Sequence, residues 1–260
     1  MHESLKLVLE FYRELGFDRL PLDYTNDSNE SRVTSNEAPP PQPPLGKGGS
    51  EGGDSSLVTC YSSMSLAEKE TALASLREDI GDCLRCKLSK DRTNIVFGEG
   101  NPDTKIMFIG EAPGREEDVK ARPFVGDAGQ LLTKLIEKMG FRREDVYIAN
   151  IVKCRPPLNR DPQEDEIDTC FPFLDRQIGI IAPQVIVSLG RISAHTLLGI
   201  GGPIAKFSIT RARGRFGEYR GIPLMPTFHP AYLLRNPKDK WLTWDDAQAV
   251  LKKLGQADKE

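Results

Sequence analysis

Apolar positions are spread very unevenly along the chain. Leu5, Val8, Leu9, Tyr12 and Leu15 recur at the spacing that lines one face of a helix, so residues 1–23 are predicted as a single amphipathic helix. The pattern then stops. From about Tyr24 to Ser56 the chain is dominated by Asn, Ser, Glu, a proline cluster (Pro39 to Pro44) and a Gly/Ser stretch, which leaves too few large apolar side chains to offset ordering entropy. Residues 24–64 are therefore predicted as a disordered linker. Periodicity resumes after Ser65, where Leu66, Leu73, Leu76 and Ile80 predict a helix. Four β-rich runs follow, Lys105–Ile109, Val146–Ile151, Val185–Leu189 and Ile222–Thr227, alternating with helical patterns over Gly129–Met139, Gln163–Ile181, Ile192–Leu198 and Trp244–Leu254. Strand, helix and strand in repetition predict an α/β domain over 65–260 whose parallel sheet is covered by helices. In such sheets ligands bind beyond the carboxyl ends of the strands.

Charge adds a division along the chain. The net charge is -3, yet residues 1–60 hold ten Asp/Glu against five Lys/Arg, leaving 28 against 30 in the remainder. The acidity belongs to the arm, and the predicted catalytic part is mildly basic, compatible with phosphate binding if its cations cluster. No run of 18 apolar residues is present and Met1 to Leu15 lacks a secretory apolar stretch, so the expectation is a soluble, cytoplasmic, monomeric chain with no membrane partner.

Five cysteines in a cytosolic chain point to metal ligation before disulfides. Cys83 and Cys86 form a CxxC pair, Cys154 and Cys170 are separated by fifteen residues, and 67 residues divide the pairs. Two pairs brought together by folding suit a four-thiolate site, and spacing alone leaves zinc and a [4Fe–4S] cluster both open. Cys60, beside the linker, is predicted to be a free thiol.

The unusual residues gather at strand ends. Gly110-Glu111-Ala112-Pro113-Gly114 follows the first strand and brings backbone N–H groups and a carboxylate to the sheet edge, although such a turn also serves as plain punctuation. Phe124 sits in the loop Arg122 to Gly126, where a ring can stack on a base or pack as satellite core. The second strand ends at Asn150, whose amide both donates and accepts, and runs into Lys153-Cys154-Arg155-Pro156-Pro157, so that the metal loop and the pocket loop are one. The fourth delivers His229, followed by Tyr232, Leu233, Leu234 and Arg235, the composition of a wedge that fills the hole left by an extruded base.

Taken in order, GEAPG, RPFVG, NIVKCRPP, HPAYLLR and the four spaced cysteines resemble the family 4 uracil-DNA glycosylases over about residues 70–255. The resemblance implies a three-layer α/β/α sandwich with a four-stranded parallel sheet and a [4Fe–4S] cluster held by Cys83, Cys86, Cys154 and Cys170. It implies that Phe124 stacks on a flipped uracil, that Asn150 reads its Watson–Crick edge, and that His229 faces O2, where charge grows as the bond to C1′ breaks. Gly110, Glu111 and Ala112 would complete the pocket, and Tyr232, Leu233, Leu234, Arg235 and Arg155 would contact DNA. Where the best-known uracil glycosylases carry an Asp that positions water, this chain has Ala112, which leaves Glu111 first in line, with Glu116 and Glu117 behind it. The stretch Cys154 to Arg160 lacks a histidine, so turnover is expected and covalent trapping is not. The expected partner is uracil-containing DNA, single- or double-stranded, with a protein docked by the N-terminal helix as a further possibility. Two other readings of the same residues are a glycosylase of this fold for other deaminated bases, and a non-enzymatic zinc module that binds nucleic acid.

Overall fold

The computed structural model describes residues 64–255; the predicted N-terminal helix, Cys60 and all of the predicted linker but its last residue lie outside the described residues. Helix α1 (Leu66–Ile80) opens with a reciprocal cap, in which the Ser65 hydroxyl accepts the Glu68 N–H and the Glu68 carboxylate accepts the Ser65 N–H. In chain order follow β1 (Glu99–Gly100), β2 (Ile106–Gly110), α2 (Arg115–Lys120), α3 (Asp127–Lys138), β3 (Tyr147–Asn150) and α4 (Glu164–Ile181). Then come β4 (Val185–Leu189), α5 (Arg191–Leu197), α6 (Ile209–Ala212), β5 (Gly217–Tyr219), β6 (Ile222–Thr227), α7 (Pro230–Arg235) and α8 (Lys240–Lys253).

The strands form one six-stranded sheet in the order β1-β3-β2-β4-β6-β5. This corrects the expected four-stranded parallel sheet. The inner strands β3, β2, β4 and β6 pair in parallel, while β1 and β5 run antiparallel at the two edges. The edge strands escaped the periodicity reading because two or three residues cannot display an alternation. What defines β5 is instead its turn: Arg220 and Gly221 both take positive φ, the geometry of a two-residue hairpin whose twist matches its strands.

The inner strands are largely apolar because helices cover both faces. In β2, Met107 and Ile109 face Leu73 and Leu76 of α1 and Ile167, Leu174 and Ile178 of α4. Ile106 and Phe108 point the other way, into a second core with Leu132 and Ile136 of α3 and Ala247 and Val250 of α8. From β2 the chain passes to β3 on one side and returns to β4 on the other. That reversal opens a crevice at the carboxyl end of β2.

Candidate active site

The crevice is a cleft of about 410 Å³ whose walls include Glu111, Ala112, Phe124, Asn150, Pro156, Asn159, His229 and Tyr232. Four loops build it, and each is fixed by backbone constraints. Gly110 pairs with Asn150 across the β2–β3 ladder, and a Cβ at Gly110 would overlap both Asn150 Oδ1 and the Phe124 ring. Only glycine lets the amide and the ring close over the strand end. Gly129 of α3 plays the same part below, since a side chain there would overlap the Phe124 carbonyl. Phe124 itself takes φ 50, the left-handed region that disfavours a Cβ, and is buried.

One carboxylate holds this arrangement together. Glu117 accepts the N–H of Gly114 at 3.1 Å through one oxygen and those of Val125 at 2.9 Å and Gly126 at 3.0 Å through the other. It thereby joins the turn after β2 to the phenylalanine loop. Glu117 is therefore a positioning residue and is not free to handle water, and Glu116 is exposed and paired with Lys120. Glu117, three residues after the cap Gly114, makes the carboxylate half of a capping box, since glycine has no side chain to return the bond.

Three buried side-chain oxygens among the described residues lack a hydrogen-bond partner, on Asn150, Ser188 and Thr243, and of these Asn150 lines the cleft. Asn150 is 1% exposed, and its Oδ1 has no hydrogen-bond partner. Such an atom is costly to bury unless something else binds it. The His229 ring lies 5.6 Å from that of Phe124, and its Nδ1 accepts the Ala231 N–H at 3.1 Å, which leaves the proton on Nε2. Burial, helped by Arg235, pulls its pKa down to about 4, so the ring is a neutral donor at physiological pH. Glu111 is shifted the other way: burial, and then the neighbouring Asp161, push its carboxyl up to about 7, while Arg191 opposes them.

The description "Uracil DNA glycosylase superfamily" matches residues 97–253. A type-4 uracil-DNA glycosylase of Thermotoga maritima is 51% identical over 169 residues, covering 65% of this chain and 86% of its own. Those of Sulfurisphaera tokodaii, 47% over 184 residues (69% and 83%), and Archaeoglobus fulgidus, 40% over 189 residues (71% and 92%), are similar too. The chain belongs to the uracil DNA glycosylase superfamily.

In this superfamily member the four cysteines also come together. Cys83, Cys86, Cys154 and Cys170 line one cavity with Ile80, Ile95 and Phe173. Donors already face three of the sulfurs: Arg85 lies 3.5 Å from Cys83, Arg92 3.8 Å from Cys154, and the Lys153 N–H 3.2 Å from Cys170. Among the described residues no three metal-binding side chains converge on a single-ion site. Between this cavity and the cleft lies Lys153, fully buried, whose ammonium donates to the Asn150 carbonyl at 3.0 Å and to Gln177 at 2.6 Å. Gln177 in turn donates to the carbonyl of Phe97. Sequence reading assigned Lys153 and Gln177 no role: Lys153 lies inside the NIVKCRPP motif without a conspicuous chemistry of its own, and Gln177 lies in a helical run.

The expected DNA contacts separate. Leu233 is corrected: it is 4% exposed and belongs to the core of α7, whereas Leu234 and Arg235 stand on the surface. Tyr232 lines the cleft but is fixed, stacking on Phe228 and donating to Asp239 at 2.6 Å. Arg155 donates to Asn159 at 2.7 Å. Arg85, Lys87 and Arg92, the cations near the cysteines, are paired with Asp79, Asp165 and Asp82.

Proposed function

We propose that this protein is a uracil-DNA glycosylase that hydrolyses the bond between uracil and deoxyribose in DNA, leaving an abasic site. The observation that carries this is the buried, unpartnered Asn150 Oδ1 beside the Phe124 ring, opposite a neutral histidine donor. A flipped uracil stacked on Phe124 offers N3–H to that oxygen and O4 to the amide N–H. Cytosine offers the reverse pattern and would leave buried groups unpaired, so it is rejected. As the C1′–N1 bond breaks, its electron pair passes into the ring and accumulates at O2. There the His229 Nε2–H donates, which stabilises the leaving anion and not the ground state. Water adds its oxygen to C1′. Glu111, ionised above about 7, is placed to take the water's proton, in a site where Ala112 supplies no carboxylate.

The four cysteines fit a [4Fe–4S] cluster. The thiols line one cavity with cationic and amide donors at the sulfurs, as a four-thiolate site requires, and the resemblance to the family 4 enzymes favours a [4Fe–4S] cluster over one zinc as its occupant. When bound, the cluster supplies cross-linking between the segment after α1, α4 and the loop after β3, since glycosidic hydrolysis moves no net electrons.

The test incubates purified protein with uracil-containing single- and double-stranded DNA, followed by alkali, beside His229→Ala and Asn150→Asp. Strand cleavage only after alkali, lost in both variants, is the expected result; no release of uracil by the wild type would overturn the reading. Brown protein absorbing near 400 nm supports the cluster, and colourless protein carrying one zinc would refute it.

A further inference from the structure

Outside the residues used so far, one side chain stands out on the cleft rim. Leu158 is 96% exposed, the most exposed large apolar residue in the described part of the chain. It lies at the tip of the loop after β3, between Pro156 and Asn159, both of which line the cleft. Its backbone takes φ 55 and ψ 21, and Asn159 follows at φ 54, so two successive residues with side chains occupy the left-handed region. For asparagine that is ordinary; for leucine it is strained.

The strain is held in place from the base of the loop. Arg155 donates to the Asn159 side chain, Arg160 makes two hydrogen bonds to the fully buried Glu166, and Arg191 pairs with Asp161 at 2.6 Å. Two prolines, Pro156 and Pro157, stiffen the approach. These side chains around the tip are paired with one another, and the tip is a bare leucine. A loop built in this way spends stability to present an apolar group to something outside the molecule.

We infer that Leu158 is a wedge, inserted into the base stack of duplex DNA beside the flipped nucleotide, on the rim of the cleft. The inference rests on the glycosylase reading and extends it. Duplex DNA is the occupant the surroundings favour, because the leucine stands at the mouth of the cleft in which the flipped nucleotide of the proposed reaction would sit. An apolar wedge helps to hold open a stack that would otherwise close on the extruded base. Single strands have no such gap to fill.

The experiment compares the ratio of kcat/KM on uracil-containing duplex to that on the same single strand, for the wild type, Leu158→Asn and Leu158→Met. Asparagine suits the left-handed backbone, so Leu158→Asn should raise Tm slightly while lowering the ratio about tenfold. Leu158→Met keeps an apolar wedge and should hold the ratio within about twofold of the wild type. A gain in stability with a loss of duplex preference is not what a merely structural residue gives. A wild-type ratio in Leu158→Asn would overturn the inference. Failure of the wild type to release uracil from the single strand would instead overturn the glycosylase reading itself.

Discussion

The cleft at the strand ends and the four-thiol cavity beside it share one loop, Asn150 to Pro156, yet they leave their polar atoms in opposite states. In the cavity, sulfurs already receive donors from Arg85, Arg92 and the Lys153 amide. In the cleft, Asn150 Oδ1 is buried with nothing bound to it, and Glu111 sits where burial resists its ionisation. On the proposed reading the cavity holds a permanent occupant, the cluster, that becomes part of the fold. The cleft is arranged for a visitor, and its order comes from the backbone, through Glu117, Gly110 and Gly129, before any ligand arrives.

Four substitutions probe that contrast. His229→Ala should reduce single-turnover excision by about 10²–10³, the range for loss of a donor to a developing anion, with a stability loss of about 0.5–2 kcal/mol from the lost cap on α7. Gly110→Ala should follow, because its methyl would displace both Asn150 and Phe124: we expect a fall in kcat/KM of about tenfold or more and a loss of about 1–3 kcal/mol in denaturant unfolding. A large loss of stability with intact excision would show that the cleft is less closely set than the contacts at Gly110 indicate.

Glu111→Gln gives a smaller effect with a clear sign. Since the Glu111 carboxyl is raised to about 7, kcat/KM in the wild type should climb as pH rises through that value and the base forms. The variant should lose that limb of the profile. His229, held at about 4, stays neutral over the same range and should contribute no limb there. Lys153→Met asks whether the two regions are coupled. It leaves Gln177 and the Asn150 carbonyl without their buried donor, so stability should drop by about 1–3 kcal/mol, measured by urea unfolding. A shift in uracil affinity in that variant, read from product inhibition, would show that the order of the cysteine loop reaches Asn150.

Much of this was legible in the chain before any fold was known. The four inner strands announced themselves as apolar runs, with ends displaced by a residue or so: Lys105–Ile109 became Ile106–Gly110, and Val146–Ile151 became Tyr147–Asn150. Asn150, Phe124, Glu111 and His229 could be singled out because polar or aromatic residues at strand ends are chemically conspicuous. Leu233 could not be told from Leu234, since neighbours on a helix point only about 100° apart and which of them is covered is settled when α7 packs. Leu158 gave no signal at all, being one apolar residue in a proline-rich turn.

The sequence by itself determined the alternation of strand and helix, the pairing of cysteines and the residue types delivered to the sheet edge, because each of these follows from local spacing and chemistry. Only the tertiary structure decided which carboxylate staples the loops, which leucine is bare, and that the Asn150 oxygen is left without a partner. Those depend on burial and on donors far apart in the chain, and a one-dimensional pattern carries neither.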